Sequence, residues 1–366
     1  MRIVIAGGGT GGHLFPGIAI AEEFIKRDRQ TEVVFIGTKR GIESRLLGPA
    51  GYELRTIDIE GIKGRGMRAL LKGLYQIPQS MLQSRLILKQ FRPALVIGVG
   101  GYASGPAVLA AYFMGIPTAI AEQNAAPGIT NRILGKFVDR IFVTYAETAE
   151  LFPRSKALLS GNPVRAAFTG VRSLPKTGKD FFQLLIFGGS QGAMAINKSV
   201  LEMLPRLQKM KNEVRVLHQT GAKDVDLVRE AYARYGITAN VTAFIVDMAE
   251  AYRQADLIIC RAGATSLAEI TAAGKAPILI PFPWATNDHQ TKNARSLADA
   301  GAAIMINEKD LSGNKLFDIV EDLLNNPKKL QLLEENSAKQ GNIAAAANIV
   351  DACLKLVEKK TKTKHN

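Results

Sequence analysis

The sequence predicts an α/β protein of two Rossmann-like domains whose parallel sheets face a cleft. Three observations lead there. Apolar, β-rich runs alternate with helix-period segments; the alternation breaks and restarts near residue 162; and each half opens with an apolar strand running into a glycine turn and a helix. Strands alternating with helices make βαβ units, and those make parallel sheets covered on both faces. At 366 residues the chain also exceeds one ordinary core.

In the first half, strands are expected at residues 2–6, 33–36, 54–59, 94–99, 118–121, 140–143 and 158–160, with a helix over 14–27 and helices between most of the others. Gly161-Asn162-Pro163 ends the series, and Pro175 to Lys179 reads as loop. The pattern restarts with a strand at 183–187, a glycine turn and a helix to about 210. Further strands follow at 214–217, 241–244, 257–260, 276–280 and 302–306, and a last helix at 344–358. A hinge near Asn162 therefore separates the domains.

An apolar share of 47% with 22% charged residues is the balance of a globular protein. The opening Met1-Arg2, running straight into Ile3-Val4-Ile5-Ala6, predicts no secretory signal. The uncharged stretch 93–121 is broken by Gly98, Gly100, Gly101, Gly105, Pro106, Gly115 and Pro117, so it reads as strand, turn, helix, turn, strand and not as a membrane span. Cys260 and Cys353 are expected to be buried free thiols in a reducing compartment.

The formal net charge is +14, and its placement is informative. Residues 61–121 hold no Asp or Glu, yet include Lys63, Arg65, Arg68, Lys72, Arg85, Lys89 and Arg92 among apolar residues such as Leu74, Leu82 and Leu86. Such a field suits nucleic acid, an anionic membrane surface or a phosphorylated substrate.

Gly7-x-Gly9-x-x-Gly12 follows a strand and precedes a helix, which exposes backbone N–H groups to a close ligand. An NAD site also requires an acid ending the second strand, and Phe35-Ile36-Gly37-Thr38-Lys39-Arg40 has none; Lys39 and Arg40 leave an NADP oxidoreductase as a rival. His13 is the one group in this turn able to move a proton, which makes it the candidate general base. Two more glycine turns, Gly98 to Pro106 and Phe187 to Ala193, also join a strand to a helix. Three such turns would serve a diphosphate donor and a phosphorylated acceptor. Cys260 to Glu269 reads as strand, turn, helix, with Glu269 placed to meet ribose hydroxyls, and Pro281 to Gln290 as a polar, aromatic loop suited to a sugar. Asp224-Val225-Asp226 looks like a metal triplet but falls in a first helical turn, where acids favour the dipole. We read it as structural.

Gly8-Gly9-Thr10-Gly11-Gly12-His13, Gly100 to Pro106, Glu122-Gln123-Asn124, Gly161 to Arg165, Gly188 to Ala193, His218-Gln219-Thr220-Gly221 and Asp288-His289-Gln290 occur in this order over nearly the whole chain. Together they resemble the MurG family of UDP-N-acetylglucosamine–N-acetylmuramyl-(pentapeptide) pyrophosphoryl-undecaprenol N-acetylglucosamine transferases. The resemblance implies the GT-B glycosyltransferase architecture. In it the chain end crosses back, so the domains would be 1–161 plus 344–366, binding acceptor and membrane, and 162–343, binding UDP-sugar. It also implies inverting transfer of GlcNAc from UDP-GlcNAc to the 4-hydroxyl of lipid I, forming lipid II on the cytoplasmic face of the bacterial cell membrane.

By resemblance, Thr10, Gly11 and Gly12 approach the transferred sugar, and Asn124 and Gln290 read its hydroxyls. Ser190 holds a phosphate, Ile245 and Arg165 meet the uridine, and Thr265, Ser266, Leu267 and Glu269 line the ribose and diphosphate. The acceptor pyrophosphate is assigned to Gly9, Gly101, Tyr102 and Ser104, and the membrane patch to Lys63, Arg68, Lys72, Arg85 and Lys89. No metal, no other cofactor and no nucleic acid is expected. A UDP-GlcNAc 2-epimerase on the same fold is the alternative.

Overall fold

Seven strands form the first sheet: β1 (Arg2–Gly7), β2 (Glu32–Gly37), β3 (Glu53–Thr56), β4 (Leu95–Gly100), β5 (Thr118–Glu122), β6 (Arg140–Val143) and β7 (Ala157–Leu159). Their spatial order is β3-β2-β1-β4-β5-β6-β7, and every pair is parallel. The computed structural model describes residues 1–59, 66–171, 180–189 and 192–365, with backbone alone for 66–75, 286 and 363–365. The unbroken apolar run of β1 is explained by covering on both faces. Ile3 and Ile5 join Leu14, Ile18 and Phe24 on one side, while Val4 and Ala6 join Leu88, Val108 and Ala111 on the other. Each buried Ile or Val contributes about 1.5–3 kcal/mol.

The second sheet has six parallel strands, β8 (Phe182–Phe187), β9 (Val214–Gln219), β10 (Ala239–Thr242), β11 (Leu257–Cys260), β12 (Ala276–Leu279) and β13 (Ile304–Met305), ordered β10-β9-β8-β11-β12-β13. Three strands end earlier than the apolar pattern suggests or are shifted. β3 stops at Thr56 because the Asp58 N–H is taken by the Gln83 side chain (2.8 Å). β10 ends at Thr242, whose hydroxyl closes a turn onto the Phe244 carbonyl (3.0 Å). β13 keeps only two residues of the expected five.

The chain divides into two compact units, Met1–Arg165 with Ile343–Asn366, and Ala166–Asn342. Asn162 to Arg165 thus belong to the first unit. The last helix, Ala345–His365, packs on the helix Gly11–Arg27 through Ile349, Val350, Cys353 and Leu356. Arg27–Asp351 (2.7 Å) and Lys360–Asp139 (2.6 Å) pin it from outside. Both cysteines are free and fully buried, and burial pushes both thiols well above their usual range. Among the described residues no helix is long and apolar enough to cross a membrane.

Candidate active site

In the first sheet the chain runs outward through β2 and β3 and then returns to β4 beside β1. The switch in strand order, where α/β sheets open a crevice at their carboxyl ends, lies between β1 and β4. Two glycine turns meet there. Gly7, Gly8 and Gly9 have φ of 147°, 137° and 84°, and Gly100 and Gly101 have 97° and 81°. A Cβ on Gly7 would strike the Gly100 carbonyl, and one on Gly101 the Gly8 carbonyl. The Gly8 N–H donates to Gly100 O (3.3 Å). The turns touch backbone to backbone, which glycine permits.

His13 opens the helix Gly11–Arg27 and is half-buried. Its ring lies over Gly100, where an added Cβ would come 2.7 Å from Cδ2. Nδ1 is 3.3 Å from Gly8 O and 3.5 Å from Thr10 Oγ1. A carbonyl only accepts, so Nδ1 carries the proton and the lone pair is on Nε2. Thr10 and Gly12 are exposed beside it, and Gly11 rests on the Phe15 ring. Arg165 stacks on that same ring, with Cζ 4.0 Å from its centroid, so it stands in the first unit with His13.

Two of the residues assigned to the acceptor turn polar groups inward. The Gly9 N–H is not turned to a ligand: it donates to Glu43 Oε2 (2.7 Å), a buried carboxylate. Ser104 is fully buried, its hydroxyl lodged under Gly98, so its side chain faces the interior. Gly101 and Tyr102 are at the surface of the turn, with Tyr102 half exposed. Asn124 follows β5 and is set by the buried Glu122, whose carboxylate accepts from Asn124 N (3.0 Å), Asn124 Nδ2 (3.3 Å), Gly128 N (3.0 Å) and Asn131 Nδ2 (2.9 Å).

In the second sheet the switch lies between β8 and β11. Gly188 and Gly189 follow β8 and the helix Ala264–Ala273 follows β11, so both stand at this switch, and the helix offers its first-turn N–H groups there. Ser190 lies outside the described residues. Thr265, Leu267 and Glu269 are buried and Ser266 is partly exposed. The Leu267 N–H donates to Gly263 O (3.0 Å), so it is spent within the helix. Gln219, at the end of β9, ties two segments together: its Nε2 donates to Gly189 O (2.7 Å), and its Oε1 accepts from Ile245 N (3.1 Å). The Ile245 N–H is therefore engaged within the fold. Gln290 opens the helix His289–Asp299 after two left-handed residues, Asn287 and Asp288, and its Oε1 accepts from Phe282 N (3.0 Å).

The neighbouring His218 has a structural task. It is fully buried: Nε2 donates to Asn197 Oδ1 (3.1 Å) and Nδ1 accepts from the Tyr232 hydroxyl (3.2 Å). Burial pushes its pKa down to about 3. The unfolded chain, with an ordinary value near ~6.5, takes up a proton that the folded chain refuses, so stability falls as pH drops below that value. Unfolding of the second unit in urea is expected to lose about 2 kcal/mol between pH 7.5 and 5.0 from this group. His218→Phe should be less stable but should lack that slope; an unchanged slope would place the titration elsewhere. Asp224 accepts from Asn197 Nδ2 (2.7 Å) and Asp226 pairs with Arg229 (2.6 Å), so both acids of the triplet are engaged in local structure.

Of the membrane residues, Lys63 lies outside the described residues, and Arg68 and Lys72 are on the helix Gly66–Phe91 without described side chains. Arg85 and Lys89 on that helix are exposed beside Leu82 and Leu86, each 59% exposed. The helices Ser104–Phe113 and Ile129–Leu134 pack alongside in turn, exposing Tyr112, Phe113, Ile129 and Ile133.

Comparison with known proteins fixes the family. Residues 3–143 match the N-terminal domain, and residues 183–352 the C-terminal domain, of glycosyltransferase family 28. A UDP-N-acetylglucosamine–N-acetylmuramyl-(pentapeptide) pyrophosphoryl-undecaprenol N-acetylglucosamine transferase of Syntrophus aciditrophicus is 56% identical over 98% of this chain and 99% of its own length. The equivalent protein of Geobacter sulfurreducens is 51% identical over 96% and 97%. The chain belongs to the MurG family. Among solved structures, MurG of Acinetobacter baumannii is 31% identical with a TM-score of 0.75, covering 97% of this chain and 99% of that one. A Neisseria meningitidis UDP-GlcNAc 2-epimerase bound to UDP-GlcNAc has a TM-score of 0.69 over 97% of this chain and 100% of its own, but only 14% identity, and shares the fold alone.

Three side chains that organise this MurG-family site were missed or left without a role in the sequence reading: Glu43, Glu122 and Gln219. Glu43 is an acid in an unremarked stretch, and the glycines that make room for it are Gly37 and Gly41 just before it and Gly8 from the turn after β1. Only the folded chain brings them together.

Proposed function

We propose that the chain transfers GlcNAc from UDP-GlcNAc to the 4-hydroxyl of the MurNAc-pentapeptide of undecaprenyl-pyrophosphate-linked lipid I, forming lipid II with inversion at the anomeric carbon. The observation that carries this reading is full-length identity of up to 56% with transferases of one name. In this mechanism the acceptor 4-oxygen attacks the anomeric carbon of GlcNAc and its proton passes to His13 Nε2. The bond from that carbon to the β-phosphate oxygen breaks, and its electron pair leaves with UDP. First-turn N–H groups of the helix Ala264–Ala273 and the Gly188 turn meet the diphosphate charge, so no metal is called for. Asn124 and the Gln290 amide nitrogen read sugar hydroxyls, the Ile245 carbonyl meets the base, and Glu269 lies along the ribose.

Transfer of labelled GlcNAc from UDP-GlcNAc to a lipid I analogue tests the reading. Formation of UDP-ManNAc from UDP-GlcNAc alone, with no transfer, would establish the epimerase instead.

The exposed leucines and aromatics on the three helices, with Arg85 and Lys89 among them, are the surface we assign to the anionic cytoplasmic leaflet that holds the acceptor. Basic residues at such a surface contribute about 1 kcal/mol each. Arg85→Glu with Lys89→Glu is expected to cut binding to phosphatidylglycerol-containing vesicles at least about tenfold, without changing turnover of a soluble acceptor analogue. Equal vesicle binding by the double variant would move the membrane surface elsewhere.

A further inference from the structure

Glu43 is 1% exposed, between β2 and β3, at the start of a short helix, Glu43–Leu46. Among the described residues no lysine or arginine pairs with it. Instead both carboxylate oxygens accept hydrogen bonds: Oε2 from Gly9 N (2.7 Å), Oε1 from Thr38 N (2.8 Å) and Thr38 Oγ1 (2.9 Å). A Cβ on Gly8 would come 2.6 Å from its carboxyl carbon, and one on Gly37 2.7 Å from its Cγ. The carboxylate thus sits where an outside anion would sit in such a turn, inside a space that glycines from separate segments leave open.

The consequence follows from peptide geometry. The N–H of Gly9 and the C=O of Gly8 belong to one peptide bond, which is planar and trans, so they point in opposite directions. Glu43 holds the N–H end; the C=O end is thereby aimed at His13 Nδ1, 3.3 Å away. Gly8 and Gly9 both have positive φ and neither has a side chain to resist a flip of this peptide. Without an acceptor at Glu43, the Gly8 carbonyl would be held only by His13 Nδ1 and by its contact with the Gly100–Gly101 turn.

We propose that Glu43 is a positioning residue for the transfer reaction, setting the orientation and tautomer of His13 through the Gly8–Gly9 peptide. The acid acts on the histidine through one peptide unit, where in hydrolase triads it touches the ring directly. The proposal rests on His13 being the base, and the tests separate the two.

The experiment uses the full chain, wild type and the variants Glu43→Gln, Glu43→Ala and His13→Ala. Steady-state transfer across pH gives kcat and KM for UDP-GlcNAc, and nitrogen NMR of histidine-labelled protein reads the two ring nitrogens of His13, assigned by loss of its signals in His13→Ala. Both Glu43 variants are expected to lower kcat about 10- to 100-fold, as a misplaced catalytic group does, with KM for UDP-GlcNAc changed less than about twofold. The His13 signals should shift from one Nδ1–H tautomer to a mixture, and formate should restore part of kcat in Glu43→Ala. If Glu43→Ala fails to fold, the isosteric Glu43→Gln carries the test. A lowered melting temperature with wild-type kcat, pH profile and His13 signals would overturn the proposal and leave Glu43 a stabilising residue. Wild-type turnover in His13→Ala would instead remove His13 as base, while the NMR signals would still decide whether Glu43 sets its ring.

Discussion

Replacing His13 with alanine is expected to lower kcat by about two to four orders of magnitude, the usual worth of a positioned general base, while UDP binding stays near wild type. The ring is held on one side by Gly100 beneath it and on the other by the Gly8 carbonyl at Nδ1, so its lone pair has a single location, Nε2. An acceptor hydroxyl attacking an anomeric carbon must shed its proton, and no other group of the Gly7–Gly12 turn can take it. Ile245 and Gln290, assigned to the donor, belong to the other unit, where Ile245 N donates to Gln219 and Gln290 Oε1 accepts from Phe282 N. Loss of about 3–5 kcal/mol of transition-state stabilisation with an unchanged Kd for UDP, measured by single-turnover transfer and calorimetry, is the expected pair of results. Turnover within threefold of wild type would show that the proton goes elsewhere.

The same turn shows what a sequence discloses and what it withholds. The central strands were legible, because a parallel strand covered on both faces must be apolar throughout and must be punctuated by turns, as in Ile3-Val4-Ile5-Ala6 followed by glycines; the half-exposed β3, β10 and β13, lacking that cover, were placed less exactly. The positions of the glycine turns and of His13 were legible for the same reason: they follow strand ends. Direction was not. Gly9 reads as an open anion donor until the fold brings Glu43 behind it, 34 residues away, and turns its N–H inward. Ser104 reads as part of the turn from Gly98 to Pro106, but it is the first residue of a helix and its hydroxyl closes on Gly98. The helix Gly66–Phe91 has apolar residues on several sides, and periodicity alone did not separate Leu88, which is buried, from Leu82 and Leu86, which are exposed. Composition and spacing report which residues are near a site. Whether a side chain faces it depends on partners that are distant in sequence.

Two glycines of one motif, Gly101 and Gly105, should therefore behave very differently. Gly101 has φ of +81°, and an added Cβ would strike the Gly8 carbonyl and stand 3.2 Å from the Gly8 nitrogen. Both obstacles are backbone, so nothing can swing aside. Alanine there would cost about 1–2 kcal/mol for the left-handed conformation and about 1–3 kcal/mol for overpacking, a large share of a marginal fold. The cheapest relief is to part the β1 and β4 turns, which breaks the Gly8–Gly100 bond and displaces the His13 ring from its seat on Gly100. Gly101→Ala is expected to lose about 2–5 kcal/mol of first-unit stability and at least about 100-fold in kcat, since displacement by an ångström is enough for that. Gly105, one residue into the following helix, would place a Cβ at an ordinary 3.5 Å from Thr130, so Gly105→Ala should keep both stability and turnover. Urea unfolding and transfer kinetics on the pair decide it: equal behaviour of the two variants would mean that the contact between the turns does not hold His13 in place.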